Sequence, residues 1–182
     1  MLSIEYDAAG AKKRLKKRRD AIDKAHVQAL NRTASGIKTY TGSSKGPVKA
    51  ELNIKTSAIR RHMTVLKATK TGRVAKVRIA GRPVPIIEVA ARQTKKGVSV
   101  KVKGQGARKL LKGAFIATMD SGHTGVFIRK HKTRLPIYEV FTTTVTQALR
   151  GHGVAKLIYR EVGRRYQKEY RAAKKFQMSK IK

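Results

Sequence analysis

The chain has 182 residues, 44 of them Lys or Arg and only 10 Asp or Glu, which gives a formal net charge of +34 at pH 7. A compact monomer with that imbalance repels itself, and the repulsion opposes folding unless counterions or an acidic partner screen it. The absence of Cys excludes a disulfide framework, a thiolate metal site and a Cys nucleophile, and the few aromatics (6 Tyr, 4 Phe, no Trp) argue against a single-strand binder built from stacking platforms.

The acidic partner best suited to such a surface is a nucleic-acid phosphate backbone, because neutralising phosphates releases condensed counterions whatever the base sequence. An anionic membrane surface or an acidic protein meets the same electrostatic need. The length predicts one domain over residues 1–182: basic N-terminal helices about 8–70, a β region about 73–141 and a C-terminal helical region about 142–178. MLSIEYDAAG has no apolar signal-peptide core, and no stretch approaches the roughly 20 apolar residues of a membrane span.

From Asp7 to Ile37 the pattern is helical, with Ala11, Leu15, Ile22, Ala25 and Ala29 on one face and Asp7 placed as a cap. Lys12, Lys13, Lys16, Lys17, Arg18 and Arg19 crowd its first turns, either as a phosphate-facing surface or as a plain solvated face. Residues 38–52 read as a loop. Their TGSSKGP lacks the glycine–lysine–serine spacing of a phosphate loop, and no strand precedes it. A second helix is expected from Thr56 or Ser57, with Ile59, Met63 and Leu66 apolar and Arg60 and Arg61 exposed.

From Arg73 the period changes to two: Ala75, Val77 and Ile79 predict a half-buried strand. Val84 to Ala90 is a second strand candidate, with Pro85 marking an edge or bulge. Val98, Val100 and Val102 make a third after the Lys95-Lys96-Gly97 turn. Gly104 to Gly113 reads as a mobile, lysine-rich connection. Ala114 to Met119 and Val126 to Ile128 flank a hairpin turn, and Leu135, Ile137, Glu139 and Phe141 form a last strand candidate. A helix opens over Thr142 to Leu149, Gly151-His152-Gly153 interrupts it, and a final helix runs from Val154 towards Phe176 with Tyr159, Val162, Tyr166, Tyr170 and Ala173 as its stripe. The order predicts an α+β fold: a small, mostly antiparallel sheet flanked by amphipathic basic helices at both ends.

No catalytic constellation emerges. The acids are scattered, the five His lack a metal-ligand spacing, and His123 and His131 read as loop residues flanking one strand. The expectation is a non-enzyme with no cofactor and no metal. Candidate nucleic-acid contacts are the six N-terminal cations above, Arg60, Arg61, Lys101, Lys103, Arg108, Lys109, Lys112, Arg164, Arg165, Lys168, Arg171, Lys174 and Lys175. Val84, Ile86, Ile87, Val89, Leu135, Ile137 and Phe141 are candidates for intersubunit sheet pairing, with ordinary core strands as the alternative.

LNRTASGIK (Leu30 to Lys38), the basic second helix, RPVPIIEV (Arg82 to Val89), GAFIATM (Gly113 to Met119) and RLPIYEVF (Arg134 to Phe141) follow one another in an order that resembles the minor tail protein Z family of long-tailed, lambda-like phages and prophages. The correspondence covers roughly Ala8 to Lys175. The resemblance implies a structural virion protein of the tail or neck, assembled in the host cytoplasm, acting in tail completion and head–tail joining. Its fold would be similar to that of tail-completion proteins. Its partners would be other tail and head–tail connector proteins, further copies of itself in a ring (a hexamer if tail symmetry holds) and double-stranded DNA contacted non-specifically, with no membrane. The family brings no catalytic residues. The rival expectation is a free, non-specific nucleic-acid-binding protein of ribosomal or nucleoid type, which needs the same charge but no ring.

Overall fold

A computed structural model describes residues 7–104, 106–131, 133–150 and 153–181. Helix α1 (Ala8–Thr41) begins where Asp7 caps it: the Gly10 N–H donates to Asp7 Oδ1 at 2.8 Å, which satisfies one of the free amides of the first turn. The helix runs four residues past the expected Ile37. It ends in a tight turn at Gly46, where a Cβ would fall 2.4 Å from the Tyr40 carbonyl oxygen. The expected loop over 38–52 therefore holds the end of α1 and a short helix α2 (Pro47–Glu51), with Pro47 in the first turn, where its missing N–H costs nothing.

The second helix is shorter than expected. α3 (Thr56–Arg61) follows Lys55, rather than Thr56 or Ser57, as cap residue, and the chain then turns into strand β1 (Met63–Leu66). Ile59, Met63 and Leu66 satisfy a helical spacing, but Thr64 and Val65 are β-branched, and pairing with β2 (Lys76–Ile79) decides the outcome. β3 (Pro83–Pro85) is followed by a 3-10 turn at Ile86–Glu88, so the expected strand to Ala90 stops at Pro85.

Two three-stranded antiparallel sheets follow. β4 (Arg92–Thr94), β5 (Gly97–Val100) and β6 (Lys109–Lys112) form the first, and β6 occupies much of the segment read from sequence as a mobile connection. β7 (Phe115–Thr118), β8 (Thr124–Arg129) and β9 (Ile137–Glu139) form the second, which contains the expected hairpin. β10 (Phe141–Thr144) leaves β9 and pairs antiparallel with β3, so the last strand candidate is two strands in two sheets. Helices α4 (Val145–Arg150) and α5 (Val154–Met178) complete the chain; of the interruption between them only Gly153, at φ 81°, lies within the described residues. The fold is α+β, with small antiparallel sheets and helices at both ends.

The chain folds as two compact units. Unit 1 comprises Met1–Gly36, Val65–Lys76 and Glu161–Lys182; unit 2 comprises Ile37–Thr64 and Val77–Arg160. The core of unit 2 gathers Val48 of α2, Ile54 of the link that follows and Ile59 of α3 with Met63, Val84, Val89, Val98, Val100, Val126 and Val145, all essentially without solvent contact.

Unit 1 is a helical seam of small residues. Ala21, Ala25 and Ala29 of α1 and Ala173 of α5 are buried, while Leu15 and Ile22, expected on the same face, are exposed. From Gln28 to Arg32 to Gly36 along α1, the partners on α5 run back from Gln177 to Glu169 to Arg165, so the two helices are antiparallel. His26 Nδ1 shares a 2.7 Å hydrogen bond with the Tyr166 hydroxyl, and the Tyr166 and Tyr170 rings stack. Asn31 clamps the backbone of Ala68 from both sides, donating to its carbonyl at 3.0 Å and accepting from its N–H at 2.7 Å.

Candidate nucleic-acid interface

The candidate cations divide between the units, and each set is taken by itself. In unit 1, Lys12, Lys13, Lys16, Lys17, Arg18 and Arg19 are all exposed on the first turns of α1, without a hydrogen-bond or ion-pair partner among the described residues. Lys168, Arg171, Lys174 and Lys175 are exposed on α5. Because α5 runs antiparallel to α1, its basic end returns beside them: Gln177, Lys180 and Ile181 share a cavity of about 280 Å³ with Lys17, Asp20 and Lys24. The antiparallel pairing therefore gathers cations from both terminal helices at one end of unit 1.

Arg164 and Arg165 belong to the same helix but are engaged. Both donate to Glu161, Arg164 through Nε at 2.8 Å and Nη2 at 2.7 Å. The Arg164 hydrogen bonds, aided by Arg165 and opposed by burial, hold the Glu161 carboxyl at about 2. Arg165 also lies across Gly36, where a Cβ would come within 2.7 Å of its guanidinium. These two arginines serve the helix pair.

In unit 2 the set is mixed. Arg61 donates to Glu88 at 2.6 Å, with Lys55 at 3.6 Å from the other carboxylate oxygen. Arg108 donates to the Ser99 hydroxyl and carbonyl, both at 2.9 Å, and to the Ala90 carbonyl at 2.7 Å. It thereby holds the backbone where Ala90 adopts φ 49°, and works as a staple of the first sheet. Lys101 is half-buried. Arg60, whose stem packs over Gly42, and Lys103, Lys109 and Lys112 are exposed.

The sequence reading passed over several cations. Arg14 completes the run on α1, and Lys180 joins its end of unit 1. Lys95 and Lys96 cap the β4–β5 hairpin beside Lys112, since Gly97 pairs with Lys112 and the Gly113 N–H donates to the Lys96 carbonyl at 3.4 Å. Arg14 was visible as a neighbour in the run. The Lys96–Lys112 proximity depends on the pairing of β6, which leaves no trace in the local pattern.

Of the interface candidates, Val84, Ile86 and Val89 lie in the unit 2 core and Ile87 packs against it. Ile137 is half-buried, whereas Leu135 and Phe141 are 67% and 48% exposed. His123 pairs with Glu139 at 3.0 Å, and His131 is an exposed residue beyond the end of β8. A cleft of about 520 Å³ in unit 2 is lined by Arg61, His62, Arg82 and Glu88 together with Pro83, Pro85 and Ile87. Among the described residues no group of three or more His, Cys, Asp or Glu is placed to hold a metal ion, and no helix is long and apolar enough to cross a membrane.

Exposed point charges on helices and hairpins are able to position a phosphate backbone and carry no base code. No curated protein and no solved structure matches this chain. Residues 8–181, nearly the whole chain, match the family model of prophage minor tail protein Z (GPZ), and the chain belongs to that family of phage tail proteins.

Proposed function

We propose that this minor tail protein is a non-catalytic structural component that completes the tail and joins it to the DNA-filled head. It forms a homo-oligomeric ring at the neck, among other tail and connector proteins, and its Lys and Arg hold the DNA end without reading bases. The observation that carries this reading is the exposed cationic end of unit 1, where the α1 run from Lys12 to Arg19 has no ion-pair partner among the described residues, in a member of a tail family. Such a surface binds duplex through counterion release at any sequence, which is what a DNA end of arbitrary sequence requires.

A ring of six subunits, each at +34, carries on the order of two hundred positive charges and closes only against DNA or acidic neighbours. Intersubunit pairing falls to the segment from Leu135 to Phe141. Its apolar side chains Leu135 and Phe141 are exposed, and β9 stands at the edge of its sheet, where unpaired backbone accepts another strand. Val84, Ile86 and Val89 have already spent their apolar surface on the core. The protein is accordingly located in the tail or neck of the virion, after assembly in the host cytoplasm.

Cryo-EM of the virion neck tests the reading. The expected result is a ring of this chain between connector and tail tube, with the α1 cations facing the DNA end. Particles that lack the chain would sink it and leave a free nucleic-acid-binding protein as the account.

A further inference from the structure

The basic run at the start of α1 differs from an ordinary charged helix face. Seven of the eight residues from Lys12 to Arg19 are Lys or Arg, all exposed, and the exception, Leu15, is 65% exposed. At about 100° per residue, seven cations in two turns surround the helix axis, so no side is left to pack against protein. The first buried residue of α1 is Ala21.

Almost nothing in the chain stabilises a helix here. Lys12–Lys16, Lys13–Lys17 and Arg14–Arg18 are like-charge pairs at i,i+4, each of which opposes the helix. The cations also sit near the positive end of the helix dipole, the unfavourable end for them. Against this stand one cap, from Asp7, an opposite charge, Asp20, four residues after Lys16, and good intrinsic propensity. A segment that buries nothing and repels itself along its length depends on an outside anion for its helicity.

The distribution of charge selects the shape of that anion. A flat surface, whether membrane or acidic protein face, reaches only the cations on one side. A groove walled by two phosphate strands reaches both. An α-helix with its side chains is about 10–12 Å across and the major groove of B-DNA is about 12 Å wide. The segment Ala8–Asp20 spans about 20 Å of helix. We infer that this segment is a DNA-dependent helical arm, which completes its helix when it lies in the major groove of a duplex, held by phosphates on either side. This deepens the DNA contact proposed above and rests on it.

The test is amide hydrogen exchange on the full-length protein with a mixed-sequence 30-base-pair duplex, beside the variant combining Lys12→Gln, Lys13→Gln, Arg14→Gln, Lys16→Gln, Lys17→Gln, Arg18→Gln and Arg19→Gln. Glutamine keeps helix propensity and every replaced side chain is exposed, so exchange in unit 2 is expected to be unchanged. In the free protein residues 8–20 should exchange like open chain. Duplex should protect them at least tenfold, and the major-groove ligand methyl green, but not the minor-groove ligand netropsin, should remove that protection. The slope of log K against log salt should fall by about 3 to 4 in the variant, as expected for the loss of about four phosphate contacts. Full protection without DNA, equal protection by poly-glutamate, or displacement by netropsin instead would overturn the arm. A variant that binds duplex with an unchanged slope would overturn the arm while leaving the DNA contact standing. Failure of the wild-type protein to bind duplex would remove both.

Discussion

The two units bury different chemistry. In unit 2 the fully buried side chains are β-branched or long: Ile54, Ile59, Met63 and seven valines, with Thr41 as the polar member of the group. In unit 1 the buried side chains are Ala21, Ala25, Ala29, Ala34, Ala68 and Ala173, joined by Thr33, and the large groups at the seam are His26, Tyr166 and Tyr170, half-buried with polar tips. Each buried methylene contributes about 0.8 kcal/mol, so a valine or isoleucine core outweighs an alanine seam several-fold per residue. Unit 1 compensates with polar cross-links: His26 to Tyr166, Asn31 to Ala68, Asp23 to Arg73, Arg32 to Glu169 and Gln28 to Gln177. The contrast teaches that unit 2 owes its fold to water exclusion. Unit 1 is held by contacts that salt, pH and anions can alter, and it carries the longest uncompensated run of cations.

The largest effect that sharpens this contrast is expected in the unit 2 core. Ile54→Ala removes a side chain with no solvent contact, and a loss of about 2–5 kcal/mol is expected for a site of this kind. Urea unfolding should show a lowered midpoint with an unchanged m-value. A change below about 1 kcal/mol would mean that unit 2 is not held by its apolar core, and the comparison would fail.

The matching change in unit 1 is Asn31→Ala, which strips both hydrogen bonds from the Ala68 backbone at once. Ala68 is 5% exposed, so its N–H and C=O lose their partner with little access to water, at a cost of about 1–3 kcal/mol. Asn31→Asp keeps the acceptor for the Ala68 N–H and loses the donor to its carbonyl, so it should fall between wild type and Asn31→Ala. Exchange of the Ala68 amide reports the outcome. Retained protection in Asn31→Ala would show that the alanine seam, not the polar clamp, holds this segment.

How much of this was legible in the sequence follows the same division. The Asp7 cap, the helical span of α1, the β7–β8 hairpin and α5 each announce themselves through local chemistry within one element. β4 does not: Arg92-Gln93-Thr94 has no apolar residue and is a strand only because β5 pairs with it. β6, Lys109-Leu110-Leu111-Lys112, carries its signal in two central residues inside a glycine- and lysine-rich stretch. The expected α1 stripe holds at Ala25 and Ala29 and fails at Leu15 and Ile22, because close helix approach selects alanines, Ala21 among them, over larger side chains. The candidate site was legible as charge but not as availability. Arg61, Arg164, Arg165 and Arg108 look like their free neighbours in sequence, and only folding shows that Glu88, Glu161 and two backbone carbonyls occupy them.

The smallest expected effect tests whether unit 1 answers to pH through that occupancy. Glu161 ordinarily titrates near 4.5, and in the folded chain Arg164, then Arg165, hold it at about 2. The carboxylate is favoured in the native state, so its contribution is fully present above about pH 4.5 and drains away as the pH falls towards 2. Pairs of this i,i+3 and i,i+4 kind contribute about 0.3–0.5 kcal/mol each when solvent reaches them, as it does Arg164. Thermal melts followed by helical circular dichroism should therefore place Glu161→Gln slightly below wild type at pH 6, with the gap closing between pH 4.5 and 2. The comparison of the variant with wild type cancels the other carboxylates, which both proteins share. A gap of constant size down to pH 2 would mean that glutamine fails for reasons of packing, and the two arginines would then owe their positions to the helix pair rather than to the carboxylate.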